Sequence, residues 1–153
     1  VGFSCYDPDE AMRALAILRA DLVQVPLNLL DQRMRDQGIL GEMKARSVEI
    51  HVRSCFLQGL LYLDPDRLPS RLGGARGPLL RMAELAKTRG WTVPEMALGF
   101  CLGVPEVDCV LVRVESVEQL RTLAAAGPRL DPDDFASLVC LDPAVIDPRR
   151  WKP

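Results

Sequence analysis

The chain has 153 residues, a net charge of −2 from 19 Lys and Arg against 21 Asp and Glu, and 48% hydrophobic residues. That length holds one domain with a substantial core, and charges mixed along the chain leave no broad basic face for nucleic acid. No apolar run approaches the roughly 18 residues of a membrane span, no signal peptide is visible, and the five cysteines, scattered without a CxxC pair, read as reduced thiols of a cytoplasmic protein.

The run VGFS at 1–4 reads as a first strand. Asp7-Pro8-Asp9-Glu10 then supplies an N-cap, a Pro at the first helical position and a Glu three residues after the cap. A second strand is predicted in DLVQVPL at 21–27, and ILGEMKARS at 39–47 forms a helix leading into a third, VEIHVRS at 48–54. DPDRLPSRLGGARG at 64–77 is the stretch richest in Pro, Gly and Arg and is expected to be a surface loop. GPLLRMAELAKTRG places Leu79, Leu80, Met82, Leu85 and Ala86 on one helical face and stops at Gly90. Thr92-Val93-Pro94-Glu95 repeats the capping logic, VDCVLVRV at 107–114 reads as a fourth strand, and Ser116-Val117-Glu118-Gln119 is a third box. The tail LDPAVIDPRRWKP at 141–153 has too many prolines for a long helix and is expected along the surface.

Four strands each followed by a helix imply an α/β fold with a parallel sheet. The strands have few strictly alternating positions, as in strands covered on both faces. No GxGxxG phosphate turn follows any strand, which argues against a doubly wound dinucleotide fold. A complete (β/α)8 barrel runs to about 250 residues, so four βα units are half of one, with a C-terminal helix and tail added.

In such a barrel, function collects where strands end. Those positions hold Ser4, Cys5 and Tyr6, then Gln24 and Asn28, then Arg53, Ser54 and Gln58, then Arg113 and Glu115. Any one of these can simply tie a strand end to its loop, but four polar strand ends together point to a ligand site. Arg53 with the SCFLQG loop, and Arg113 leading into the Ser116 cap, suit phosphates, whereas Glu115 suits a ribose hydroxyl. His51, the one histidine, lies on the same strand face as Arg53 and reads as a hydrogen-bonded core residue with no carboxylate near it to support a triad. Cys5 and Cys55 read as packing rather than nucleophiles.

At these residues the chain resembles the C-terminal half of an aldo/keto reductase. VGFSCY is similar to the family's fifth strand, LVQVPLNLLD to the sixth, HVRSCFLQGLL to the seventh and VLVRVESVEQL to the eighth, in the right order. The resemblance implies an NADP cofactor, with NAD the alternative. It implies that Ser4 and Gln24 hold the nicotinamide carboxamide and that Arg53 replaces the aromatic that stacks on the nicotinamide. Ser54, Phe56, Gln58 and Gly59 align with the loop over the pyrophosphate, and Arg113 and Gln119 with the adenosine side. Cys5 and Leu123 stand where the family has Asn. The family's catalytic Asp, Tyr, Lys and His lie on its first four strands, so no catalytic residue and no metal ligand is assigned within this chain.

Residues 1–153 are thus expected to be a partial aldo/keto reductase domain lacking its N-terminal half, with the start of the chain as the cut edge of the barrel. The expected function is reduction of aldehydes or ketones by hydride transfer, or its reverse, with this half supplying cofactor contacts. The expected partners are a small carbonyl or alcohol substrate and either the missing N-terminal half-barrel or a second copy, with no nucleic acid and no membrane. The alternative is a non-catalytic half-barrel, a binding or interaction module that pairs with a partner half-barrel.

Overall fold

The computed structural model describes residues 1–125, 127 and 129–151. Strands β1 (Gly2–Ser4), β2 (Leu22–Pro26), β3 (Glu49–Arg53) and β4 (Cys109–Val110) form one parallel sheet in the order β1-β2-β3-β4. This sequential order has no point at which the strand order reverses, so the open dinucleotide-binding topology is excluded. The fold is α/β with a parallel four-stranded sheet.

Two expectations about the strands need correction. The fourth run pairs only over Cys109–Val110; Leu111 donates one more bond to Val52 O at 2.7 Å, and the chain then leaves the sheet. Nor are the described strands covered on both faces. In β3, Ile50 and Val52 are buried, while Glu49 is exposed and His51 and Arg53 are half-buried. In β2, Val23 and Val25 are buried and Gln24 is not. The period of two sends the aliphatic residues under the helices and leaves the opposite face polar and partly open.

Helix α1 (Pro8–Ile17) starts at Asp7, whose carboxylate accepts from Glu10 N at 2.8 Å. Glu10 reaches one residue further back than a capping box requires and accepts from Tyr6 N at 2.7 Å. A short helix not anticipated from sequence, α2 (Arg33–Asp36), precedes α3 (Ile39–Ala45). Helix α4 (Arg76–Arg89) ends at Gly90, which holds the left-handed φ of 69° that favours glycine. Its buried face is narrower than predicted, because Leu79 and Met82 are buried while Leu80 is 40% exposed. At α5 (Val93–Gly103) both halves of the Thr92–Glu95 box are made. At α6 (Val117–Ala125), Ser116 Oγ accepts from Gln119 N at 3.1 Å, and Gln119 Oε1 accepts from Glu115 N at 2.8 Å.

The Pro/Gly/Arg-rich stretch is more ordered than expected. It forms 3-10 turns at Pro65–Arg67 and Ser70–Ala75, because Leu72 and Ala75 are drawn into the core. The tail likewise does not merely lie on the surface. Within it α7 (Pro143–Ile146) buries Val145 and Ile146, and ahead of it a 3-10 turn at Pro132–Leu138 buries Phe135 and Leu138. Lys152 and Pro153 of that tail lie outside the described residues. Phe135 meets Phe100 of α5 edge-on, with ring centroids 5.7 Å apart. Gly103 permits the closest approach in this region, since a Cβ there would lie 1.8 Å from Leu130 O.

The loop after β2 is held by a buried polar cluster. Asn28 Oδ1 accepts from Leu30 N and Asp31 N, each at 3.0 Å. Gln32 Nε2 donates to Leu29 O at 2.9 Å and to Phe135 O at 3.0 Å, fastening the loop to the C-terminal segment. Arg33 forks onto the buried Asp31 through Nε and Nη2, at 2.8 and 2.9 Å. No helix among the described residues is long and apolar enough to cross a membrane.

Candidate functional site

The C-terminal ends of β2 and β3, the loop after β4 and helix α6 enclose a groove of about 930 Å³. The strands place its floor. Gln24 of β2 stands in register between Ser4 of β1 and His51 of β3, and Arg53 ends β3 opposite Pro26. Gln24 and Arg53 both line the groove. Ser4 is not part of the lining but touches it through Arg53, whose Nε donates to Ser4 Oγ at 3.3 Å.

The loop after β3 forms one wall, contributing Ser54, Phe56, Gln58 and Gly59. Its backbone is unusual. Ser54, Leu57 and Gln58 hold left-handed φ values of 63°, 44° and 55°, followed by Gly59 at 86°. Non-glycine residues in that region cost on the order of 1–3 kcal/mol each and persist where the surroundings impose them. The backbone N–H groups of Cys55 and Phe56 find no acceptor among the described residues. Successive amides of this kind form the concave nests that hold anions.

Helix α6 and the segment before it form the opposite wall. Arg113 and Gln119 line it, Arg113 being paired to Glu115 at 3.2 Å. The structure thus brings eight of the nine predicted cofactor-side residues to one groove, with Ser4 at its edge. Sequence reasoning missed Tyr62, Glu118 and Thr122, which also line it. A signal for the α6 residues was present, since Glu115, Glu118, Gln119, Thr122 and Leu123 follow the i, i+3, i+4, i+7, i+8 spacing of one helical face. Tyr62 carried none, because only the left-handed turn at 57–59 brings it round.

Other strand-end groups are turned elsewhere. Asn28 is fully buried and spends its carbonyl on its own loop. The Cys5 thiol is buried too, and burial, with Glu10 and Asp7 nearby, pushes its pKa up to about 12. Its carbonyl accepts from Arg53 Nη2 at 2.9 Å. The reading of His51 as having no carboxylate near it is overturned. Glu49, two residues back on the same strand face, places Oε1 2.8 Å from His51 Nε2. No cluster of three or more His, Cys, Asp or Glu among the described residues is arranged to hold a metal ion.

The family model described as the aldo/keto reductase family matches residues 1–142. The chain belongs to the aldo/keto reductase family. Solved structures agree on the fold. An aldo-keto reductase from Bacillus halodurans in its holo form superposes with a TM-score of 0.69 at 20% identity, covering 97% of this chain and 52% of that one. Its apo form gives 0.68 at 20% identity, covering 96% and 52%. A thermostable aldo-keto reductase solved with the inhibitor epalrestat gives 0.59 at 21% identity, covering 90% and 46%. This aldo/keto reductase chain therefore spans about half the length of the structures it matches. No curated protein matches it in sequence.

The groove's chemistry suits the nicotinamide dinucleotide that the family implies, at two places. The Gln24 side-chain amide has no other hydrogen-bond partner among the described residues, so both its donor and its acceptor are available to a carboxamide. Cys55 and Phe56, whose amides have no acceptor among the described residues, line the groove beside Ser54.

Proposed function

We propose that this chain is the cofactor-side half of an aldo/keto reductase barrel, strands five to eight, acting with NADP or NAD on aldehydes, ketones or the corresponding alcohols. The observation that carries this reading is the convergence of Gln24, Arg53, the 54–59 loop, Arg113 and Gln119 on one groove at the strand ends. The dinucleotide, when bound, supplies or accepts the hydride. The chain's own residues bind and orient: Ser4 and Gln24 hold the carboxamide, Ser54 through Gly59 wrap the pyrophosphate, and Arg113 with Gln119 meets the adenosine end. Arg113 favours a phosphorylated ribose, while Glu115, its ion-pair partner at 3.2 Å, accepts from a ribose hydroxyl. The proton for the carbonyl oxygen comes from the other half of the barrel.

Titration of the intact protein with NADPH is expected to quench tyrosine and tryptophan emission, since Tyr62 lines the groove. Gln24→Ala is expected to weaken that binding about tenfold, the value of one to two lost hydrogen bonds. Equal affinity in the variant would remove the assignment.

A second reading, an interaction module that pairs with another half-barrel, is favoured by the sheet edges and by α6. Val117 and Leu120 of α6 are 65% and 52% exposed, Ile17 of α1 is 83% exposed, and β1 and β4 are the edges of the sheet among the described residues. Such edges and apolar faces favour association, with a second copy or with four further βα units. The two readings combine where the partner carries the proton donor.

A further inference from the structure

Arg53 has more hydrogen-bonding capacity than the fold consumes. It reaches from β3 past the end of β2 to β1, donating through Nε to Ser4 Oγ at 3.3 Å and through Nη2 to Cys5 O at 2.9 Å. Nη1 donates to Ser54 Oγ at 3.4 Å. Its Cζ lies 4.4 Å from the centre of the Tyr6 ring, and Arg149 packs on the same ring at 4.1 Å. The guanidinium is thereby fixed in position, and every one of these acceptors is neutral.

Among the described residues no carboxylate stands within ion-pair distance of Arg53, whereas the nearby cations are paired, Arg113 with Glu115 and Arg149 with Asp147. Three of its five N–H donors are engaged, which leaves two. Ser4 and Ser54 accept from Arg53, so their own hydroxyl protons turn to other acceptors. Carboxylates do face the groove, Glu115 and Glu118, but both stand on the opposite wall. A half-buried planar cation with only neutral partners, flanked by two hydroxyl donors, has the chemistry of a receptor for an oxyanion.

We infer that Arg53, with Ser4 and Ser54, forms an oxyanion subsite of the groove. It takes either a carboxylate borne by the carbonyl substrate or a phosphate of the dinucleotide. The assignment to one of these sources rests on the proposed function; the subsite itself does not. Where the substrate supplies the anion, the enzyme prefers keto acids and aldehyde acids to their neutral counterparts.

Calorimetric titration of the intact protein with pyruvate, with pyrophosphate and with neutral methyl pyruvate tests this, in the native sequence and in Arg53→Met and Arg53→Lys. At least one anion is expected to bind and to lose about tenfold or more in affinity in Arg53→Met. Arg53→Lys, which keeps the charge without the planar fork, is expected to fall between the two. A response to pyruvate alone assigns the subsite to substrate, and a response to pyrophosphate alone assigns it to the dinucleotide. Failure of both anions to bind the native protein overturns the inference, as does equal anion affinity in a normally folded Arg53→Met. If Arg53→Met does not fold, the Lys variant decides, and affinity that is unchanged in it and independent of ionic strength overturns the subsite. NADPH titration run in parallel separates the two proposals. Arg53-dependent anion binding without NADPH binding upholds the subsite and sinks the dinucleotide reading; NADPH binding with Arg53-independent anion binding does the reverse.

Discussion

Asn28 and Arg53 both sit at strand ends, and both are polar residues following an aliphatic run, yet their environments differ completely. Asn28 is fully buried, and its Oδ1 accepts two backbone amides at 3.0 Å, the bonds that shape the loop after β2. Asn28→Ala is expected to lower stability by about 1–3 kcal/mol, the cost of leaving buried amides unmatched. A shift in the denaturation midpoint measures it, and NADPH affinity should not move, because Asn28 does not line the groove. Arg53 instead donates across two strands while still facing the groove. Sequence made both residues candidates because polar groups at the ends of apolar strands must find partners. Nothing in the sequence separates them, since the difference lies in which way a loop closes. His51 is the opposite case, its Glu49 partner being legible in the strand period once the face is considered.

At the scale of elements, the caps were the most legible feature. Thr92 N donates to Glu95 Oε2 at 2.7 Å, and Glu95 N donates back to Thr92 Oγ1 at 3.4 Å. Thr92→Ala is expected to cost about 1 kcal/mol, read as a lower thermal midpoint, with Thr92→Ser largely restoring it. Caps are local, so their residues suffice to predict them. The fourth strand was less legible. Its β-branched run at 107–114 promises eight residues of strand, but among the described residues β4 has a neighbour on one side only, β3, and the ladder closes over two residues. The 3-10 turns at 65–67 and 70–75 were missed for the opposite reason, because Leu72 and Ala75 are recruited by distant packing that no local pattern reports.

For the whole molecule, pH connects burial to stability. The Cys5 thiol ionises near 12 in the fold and near 9.0 in the open chain, and burial together with Cys55 likewise raises Cys101. Below about pH 9 both states hold these protons and the full stability is present. As pH rises from there towards 12, the unfolded chain releases its protons while the native state keeps them, so stability falls. Denaturation midpoints at about pH 8 and about pH 10.5 should show this loss, and Cys5→Ala should reduce it. An alkaline loss of the same size in Cys5→Ala would show that Cys5 ionisation contributes nothing.

The sequence by itself determined the succession of four strand–helix units, the placement of the helix starts and the family, because periodicity, caps and strand-end motifs are local properties of the chain. Only the tertiary structure decided which polar strand ends share a groove, that one sheet face stays polar and partly open, and that Arg53 meets Ser4 and Cys5 across β2. Those outcomes depend on register and on through-space partners far apart in the chain, such as Gln32 with Phe135 O, and no local pattern encodes them.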